Sequence, residues 1–192
     1  IIATGSRPRP HPDLEVDQKQ IFDSDGLLNL NRFPERMMII GSGIIGCEFA
    51  TIFSNFGQTE VHLLDRTHRV IPFEDEDVSD FVSKNLQKNG VIIHHTANLR
   101  TVRKKSTELE IVLDYDDGHS SVVEVDIILI SIGRDPNIAG LCLENAGIEP
   151  TSKGYLRINE ECAISNFGDC NIFAAGDVTG HKALYGVAEE QG

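Results

Sequence analysis

The feature that most constrains this sequence is a glycine-spaced loop set between two kinds of hydrophobic periodicity. Met37 to Ile40 form a short apolar run that ends in Gly41-Ser42-Gly43-Ile44-Ile45-Gly46. Beyond it Ile44, Ile45, Phe49, Ile52, Phe53 and Phe56 recur at helical spacing up to Gly57. Val61 to Leu64 then make a second apolar strand ending at Asp65, so the segment reads as a right-handed βαβ crossover. In G-x-G-x-x-G the first glycine, Gly41, allows a tight turn. Gly43 lets backbone amides approach a pyrophosphate, and Gly46 lets the helix pack close to the strand. The helix N-terminus adds unpaired amides and positive dipole. Asp65 follows Gly46 by about 20 residues, at the strand end where a carboxylate accepts from ribose hydroxyls. Strand, loop, helix, spacing and acid agree on a dinucleotide-binding unit of Rossmann type.

The remaining chain extends this unit on both sides. Val78 to Asn89 fits a helix with Val78, Phe81, Val82 and Leu86 on one face, ended by Asn89-Gly90 before a strand Val91 to Ile93. The period then changes to two over Leu99 to Arg103, Glu108 to Tyr115 and Ser121 to Val125, with Asp116-Asp117-Gly118 as a turn. This is an antiparallel three-stranded meander. Ile127 to Ile132 suits a strand buried on both faces, returning to a parallel sheet of about four strands. After Asp135-Pro136-Asn137 the pattern loosens to a short helix at Leu141 to Asn145 and strands at Tyr155 to Ile158 and Asn171 to Ala175. The first 33 residues are loop-rich, with Pro8, Pro10, Pro12 and Asp23-Ser24-Asp25-Gly26, and show no self-contained pattern. The expected organisation is α/β: a dinucleotide-binding domain over 34–134, flanked by pieces of another domain at 1–33 and 135–192.

Charge narrows the partners. A net charge of -13 argues against nucleic acid and against an anionic membrane, which are bound through clustered Lys and Arg. No apolar run approaches the ~18 residues that span a bilayer, and the first residues carry no signal-peptide pattern. Cys47, Cys142, Cys162 and Cys170 have no C-x-x-C pair and no ligand-like spacing to histidine, which suits reduced thiols in a cytoplasm and indicates no metal. Glu74-Asp75-Glu76-Asp77 reads as a solvated helix start favoured by the dipole. His94-His95 reads as a structural or solvated imidazole pair at a strand end.

Two further segments bracket the βαβ unit, Ile1-Ile2-Ala3-Thr4-Gly5-Ser6 before it and Ile172-Phe173-Ala174-Ala175-Gly176-Asp177 after it. Together with Ile132-Gly133-Arg134-Asp135-Pro136-Asn137 they make the whole chain resemble the FAD-dependent pyridine nucleotide-disulfide oxidoreductases. In that family the A-T-G segment closes the first part of an FAD-binding domain, the aspartate of the G-D pair meets the flavin ribityl hydroxyls, and the nicotinamide domain is inserted between. The resemblance therefore implies FAD contacts at Thr4, Gly5, Gly176 and Asp177 in the full-length protein. NAD(P) contacts are implied at the glycine loop, at Gly133 of the G-R-x-P-N-like turn, and at Glu48. Glu48 occupies the place of a glutamate that holds the nicotinamide near the flavin, although a first-turn acid would also complement the helix dipole. Ile44 sits where a side chain can cover the flavin face. Ala183 to Gln191 matches a helix whose start, at Ala183 and Leu184, points at the flavin pyrimidine. His181, after the G-D pair, is a weaker candidate for the flavin.

Within the family, Ile21 to Asp25 and Ile45 to Phe53 resemble most the soluble transhydrogenases, which lack a catalytic disulfide and pass hydride between NAD(H) and NADP(H) through FAD. Dihydrolipoamide dehydrogenase follows, on Arg69-Val70-Ile71-Pro72 and Gly176-Asp177-Val178-Thr179, and then the mercuric-reductase-like group. A nucleotide-binding module without redox chemistry is the alternative of another class. The sequence holds no second G-x-G-x-x-G, no C-x-x-x-x-C and no dimerisation domain, so it reads as a fragment without catalytic residues of its own, from an enzyme expected to be a homodimer. Asp65 makes NAD the default nucleotide, since a 2′-phosphate would meet a like charge. A charge pair at about 4 Å is worth roughly 4 kcal/mol at an effective dielectric near 20, so Arg66 or Arg69 turned onto that phosphate would let NADP(H) be tolerated.

Overall fold

The structure, a computed structural model, describes residues 1–164, 172–180 and 184–192. The chain forms two compact units, one of residues 8–133 and one that joins residues 1–7 to 134–192. After a short strand β1 (Ser6–Pro8), the first unit opens with β2 (Ile21–Asp23) and a one-turn helix α1 (Ser24–Leu27), whose N-cap Asp23 accepts from the Gly26 amide at 2.8 Å. There follow β3 (Arg36–Ile40), α2 (Ile44–Phe56), β4 (Glu60–Leu64), α3 (Glu76–Lys88) and β5 (Ile92–His94). The meander is β6 (Ala97–Lys104), β7 (Leu109–Tyr115) and β8 (Ser120–Val125), and β9 (Ile127–Ile130) closes the unit.

The parallel sheet has five strands in the order β2-β9-β3-β4-β5, with β6-β7-β8 as a separate antiparallel sheet. The alternation of β3 divides the core. Met37 and Ile39 face the helices with Val61, Leu63, Ala50, Phe53 and Leu86. Met38 and Ile40 face the meander with Ile128, Ile130, Leu109, Ile111 and Leu113. A strand covered on both faces shows the unbroken apolar run seen in the sequence, with the period of two hidden in which layer each residue serves.

The expected sheet had about four strands, and the fifth is β2. Ile21, Phe22 and Asp23 pair in parallel with Ile128, Leu129 and Ile130, so the unit takes in residues 8–33 that the sequence reading had assigned to the flanking domain. Three residues are too few to show a period, which is why the strand was missed. Asp17 prepares it: Oδ1 accepts from the amides of Lys19, Gln20 and Ile21 at 2.9 Å each, and Oδ2 from Lys104 Nζ at 2.6 Å. These donors hold its carboxyl far below the ordinary range against the opposing effect of burial, which is the largest single contribution.

The other unit has its own core of Leu143, Ile148, Leu156, Ile164, Ala174 and Val178. It carries β10 (Arg134–Pro136), which pairs with β1, two 3-10 turns at Leu143–Ala146 and Gly176–Thr179, and α3's smaller successor α4 (Tyr185–Gln191). Expected strands at 155–158 and 171–175 are reduced to isolated bridges, Ile158 with Ile164, Ala163 with Phe173, and Ile2 with Ala174. Asn171, like Cys170, lies outside the described residues. No helix among the described residues is long and apolar enough to cross a membrane.

A polar seam crosses the first unit where β4 and β5 meet the meander. His62 Nε2 lies 3.1 Å from Glu60 Oε1, His62 Nδ1 lies 2.9 Å from His94 Nε2, and His94 Nδ1 lies 2.6 Å from the Tyr115 hydroxyl. With the carboxylate as acceptor, His62 donates from Nε2, His94 donates from Nε2 to His62, and Tyr115 donates to His94. His94 is thus buried and paired, not solvated as a surface imidazole would be. Burial, with the imidazoles of His62 and His95 adding to it, holds His94 down at about 4 from an ordinary 6.5. Between those values the unfolded chain carries more protons, so stability rises with pH across this window and is lost as pH falls through it. Urea denaturation followed by circular dichroism is expected to give an unfolding free energy about 1 kcal/mol lower at pH ~5.5 than at pH ~7.5 from this residue. His94→Gln should remove that share of the pH dependence.

Candidate functional site

The loop after β3 is shaped by what cannot fit. Gly41 leaves the strand at φ +104°, and a Cβ there would lie 2.6 Å from the Ser131 carbonyl oxygen. At Gly46 a Cβ would stand 1.9 Å from the Gly41 carbonyl oxygen, so the start of α2 rests directly on the end of β3. The Ser131 hydroxyl reaches the carbonyls of Gly41 and Ile40 at 3.0 and 3.1 Å and ties β9 to the same point. Gly43 differs from both. It is the N-cap of α2, makes no side-chain cap bond, and a Cβ on it would meet nothing within 4 Å. The first amides of α2 thus border open space, the arrangement an anionic pyrophosphate would occupy.

Asp65 stands beside the loop, bonded to its Ser42. It is 6% exposed; Ser42 Oγ donates to its Oδ2, and the Thr67 amide donates to its Oδ1 at 3.0 Å. The Thr67 hydroxyl lies 3.1 Å from both carboxylate oxygens and 2.8 Å from the Arg69 carbonyl. The loop beyond folds back on the glycine motif, with the Ile71 amide donating to the Ser42 carbonyl at 2.8 Å and Ile71 held at φ +39°. No periodicity announces this return. Ser79 Oγ fixes it from α3 by donating to the Ile71 carbonyl at 3.3 Å.

The two arginines are placed differently. Arg66 is exposed, whereas Arg69 is half-buried, with Nη2 3.3 Å from the Pro72 carbonyl and Nη1 4.0 Å from Glu76. Its Nε is buried and has no hydrogen-bond partner. Ile44 is 42% exposed at the mouth of the loop and Ile45 is half-buried. Glu48 is exposed but is the fifth residue of α2, and the first turn of that helix holds no acid, which corrects the helix-dipole account of this residue. Cys47 is buried under the loop with Sγ 3.4 Å from the Ser42 carbonyl. Burial, reinforced by Asp65 and Glu48, pushes its thiol up to about 12, so it stays protonated and unreactive. Gly133 is exposed at φ +119° and its carbonyl accepts from the Arg9 amide at 3.0 Å.

The other unit brings the flanking motifs together. Thr4 Oγ1 donates to the Asn137 carbonyl at 2.6 Å, the Asn137 side chain returns a bond to the Thr4 carbonyl at 3.1 Å, and the Asn137 amide donates to the Gly5 carbonyl at 2.9 Å. Ser6 Oγ donates to Asp177 Oδ2 at 2.5 Å, and Arg134 donates to Ser6 through Nε at 2.7 Å and Nη2 at 2.8 Å. Gly176, at φ +77°, receives the Gln191 side-chain oxygen on its amide at 2.8 Å. Three segments distant in sequence thus converge on the Asp177 carboxylate. Sequence reasoning named Thr4, Gly5, Gly176 and Asp177 but missed Ser6 and Arg134 as their braces. Leu184 is the extended residue before α4, while His181 and Ala183 lie outside the described residues. Among the described residues no grouping of three His, Cys, Asp or Glu side chains could hold a metal ion, and Cys47, Cys142 and Cys162 are free thiols.

The family model for pyridine nucleotide-disulphide oxidoreductases matches residues 1–192. The chain belongs to this family. Among its pyridine nucleotide-disulphide oxidoreductase relatives, the soluble pyridine nucleotide transhydrogenase of Stutzerimonas stutzeri (strain A1501) is 38% identical over 192 residues. That of Yersinia pestis (strain Pestoides F) is 34% identical over 194. Each alignment takes in the whole chain but only 40% of the relative, so the chain spans well under half the length of these proteins. Among solved structures, LpdA from Mycobacterium tuberculosis superposes with a TM-score of 0.85 at 30% identity, covering 98% of this chain and 39% of that one. The HOCl-induced flavoprotein disulfide reductase RclA from Escherichia coli gives 0.83 at 31%, covering 99% and 42%.

The glycines separate folding from binding. Gly46→Ala is expected to cost about 1–3 kcal/mol of stability through the clash with Gly41, read from urea denaturation. Gly43→Ala should leave the denaturation midpoint within error while weakening NADH binding at least about ten-fold, because its methyl would fill the space before the helix amides.

Proposed function

We propose that residues 34–134, with the added strand β2, bind a nicotinamide dinucleotide, and that the whole protein is an FAD-dependent oxidoreductase passing hydride between that nucleotide and FAD. The observation that carries the first half is the open cradle at Gly43, bounded by two glycines that packing demands and by a carboxylate at the end of β4. Gly41 to Gly46 would hold the pyrophosphate, Asp65 a ribose hydroxyl of adenosine, and Ile44, Glu48 and Gly133 would lie toward the nicotinamide. Thr4, Gly5, Gly176, Asp177, Ala183 and Leu184 would contact FAD. The Asp177 carboxylate, steadied by Ser6 and Arg134, suits polyhydroxyl recognition, since those braces hold its position while lone pairs remain for further donors. FAD, when bound, supplies the two-electron chemistry; this chain's residues bind, orient and exclude water.

The names of the relatives favour a soluble transhydrogenase as the whole protein, with NAD(H) preferred and NADP(H) tolerated through Arg66 or Arg69. Exposed Arg66 is the better placed of the two, because Arg69 is engaged with Pro72 and Glu76. The likeness to LpdA supports dihydrolipoamide dehydrogenase as a second reading. A cytoplasmic homodimer is the state proposed for the complete protein.

The complete gene product is expected to purify yellow, with flavin absorbance that bleaches on adding NADH under anaerobic conditions and returns with an oxidised nicotinamide nucleotide. A colourless, nucleotide-silent protein would overturn the redox assignment and leave a binding module. The 192-residue chain, with one glycine motif, is expected to bind NADH but to carry no stoichiometric flavin. Undetectable NADPH binding would move the assignment toward dihydrolipoamide dehydrogenase.

A further inference from the structure

The Asp65 carboxylate is already engaged before any ligand is considered. A carboxylate offers about four acceptor positions. Ser42 Oγ uses one on Oδ2, the Thr67 amide uses one on Oδ1, and the Thr67 hydroxyl, whose single proton has both carboxylate oxygens and the Arg69 carbonyl in reach, uses at most one more. The residue is 6% exposed and Ser42 is 3% exposed, so neither partner is readily replaced by water. The Thr67 amide belongs to the backbone. Only the Ser42 hydroxyl anchors Oδ2 from the glycine loop itself, where the Ile71 amide in turn fixes the Ser42 carbonyl at 2.8 Å.

We propose that Ser42 is a specificity-determining positioning residue, which acts by locking Asp65 so that it has one acceptor position left for a ribose hydroxyl and cannot swing away from a 2′-phosphate. The inference rests on the assignment of Asp65 to the adenosine ribose. A mobile carboxylate relieves repulsion by rotating into solvent, so its charge discriminates weakly. A carboxylate tied at both oxygens keeps its charge in place, and the 2′-phosphate then bears the full electrostatic cost. The orientation that favours NAD(H) and the repulsion that disfavours NADP(H) therefore share one hydrogen bond.

The test measures dissociation constants of the chain for NADH and NADPH by nicotinamide fluorescence in Ser42→Ala, Asp65→Asn and the double variant, with circular dichroism melts to show that each is folded. Ser42→Ala is expected to lower the ratio of the NADPH constant to the NADH constant by about ten-fold, the scale of a hydrogen bond to a charged group. In the Asp65→Asn background the same substitution should change the ratio less than about two-fold, because Ser42 acts through the charge. Thr67→Val, removing only the shared hydroxyl, should lower the ratio by a smaller factor. A Ser42→Ala chain that weakens both nucleotides equally overturns the proposal, since a merely structural serine would do that. So does a shift in the ratio that persists without Asp65. A parent chain that binds neither nucleotide overturns the dinucleotide assignment and this inference with it. A parent that binds NADPH more tightly overturns the inference and leaves the dinucleotide assignment standing.

Discussion

The contact on which the nucleotide-binding unit depends is the one between the start of α2 and the end of β3. With no room for a side chain at Gly46, the helix axis is set by backbone touching backbone, and Ser131, just after β9, pins the same point. That closeness places Ala50 and Phe53 onto Met37, Ile39, Val61 and Leu63. It also aims the uncapped helix start across the strand ends. Packing density in such a core is close to that of an organic crystal, so a displacement here would be transmitted to every layer above it. The cradle proposed for the pyrophosphate is a by-product of that packing: the turn must be tight because the helix lies close, and the space at Gly43 is what remains.

What could be read from the sequence follows from where period and packing coincide. The strand-loop-helix of Met37 to Phe56, the second strand and its acid, α3 and the meander all sit within a residue or two of expectation, because each is long enough for its period to show. β2 was not legible. Ile21 to Asp23 is three residues, and its partner on β9 is chosen by the tertiary sheet. The same limit hid His62, which sits in the apolar run of β4 and can be recognised as part of a polar chain only when β5 and Tyr115 are beside it. The flanking unit was legible by resemblance more than by periodicity. The strands expected at 155–158 and 171–175 are bridges of one pair each, and its order comes largely from the β1–β10 pair and from side-chain to backbone bonds at Thr4, Asn137 and Gly176.

Both candidate binding regions handle a carboxylate in one way. Asp65 and Asp177 each receive a serine hydroxyl from a separate segment, Ser42 in the glycine loop and Ser6 beside the A-T-G motif. A hydroxyl bond costs little side-chain entropy and leaves part of the acceptor capacity for a polyhydroxyl ligand, whereas a bidentate arginine would consume more of it. Arg134 bonds Ser6 closely and stands 3.9 Å from Asp177, which steadies that carboxylate while sparing its lone pairs. In the proposed sites, such an arrangement would favour sugar hydroxyls over phosphates by charge and fixed over variable geometry by restraint.

The fifth strand bears on the order in which the chain is made. β2 is made before the other strands of its sheet, yet among the described residues its strand partner, β9, lies about a hundred residues downstream and is itself held between β2 and β3. On a ribosome, β3, β4 and β5 can associate through their crossover helices as they emerge, while Ile21 and Phe22 wait with unpaired backbone until the meander has been completed. In that order of synthesis the sheet would be closed by insertion of a late strand between an early one and an already paired half. Long-range parallel pairing of this kind is intrinsically slow. The Asp17 turn, which shapes the waiting segment through purely local bonds to residues 19–21, limits the conformations that β9 must find.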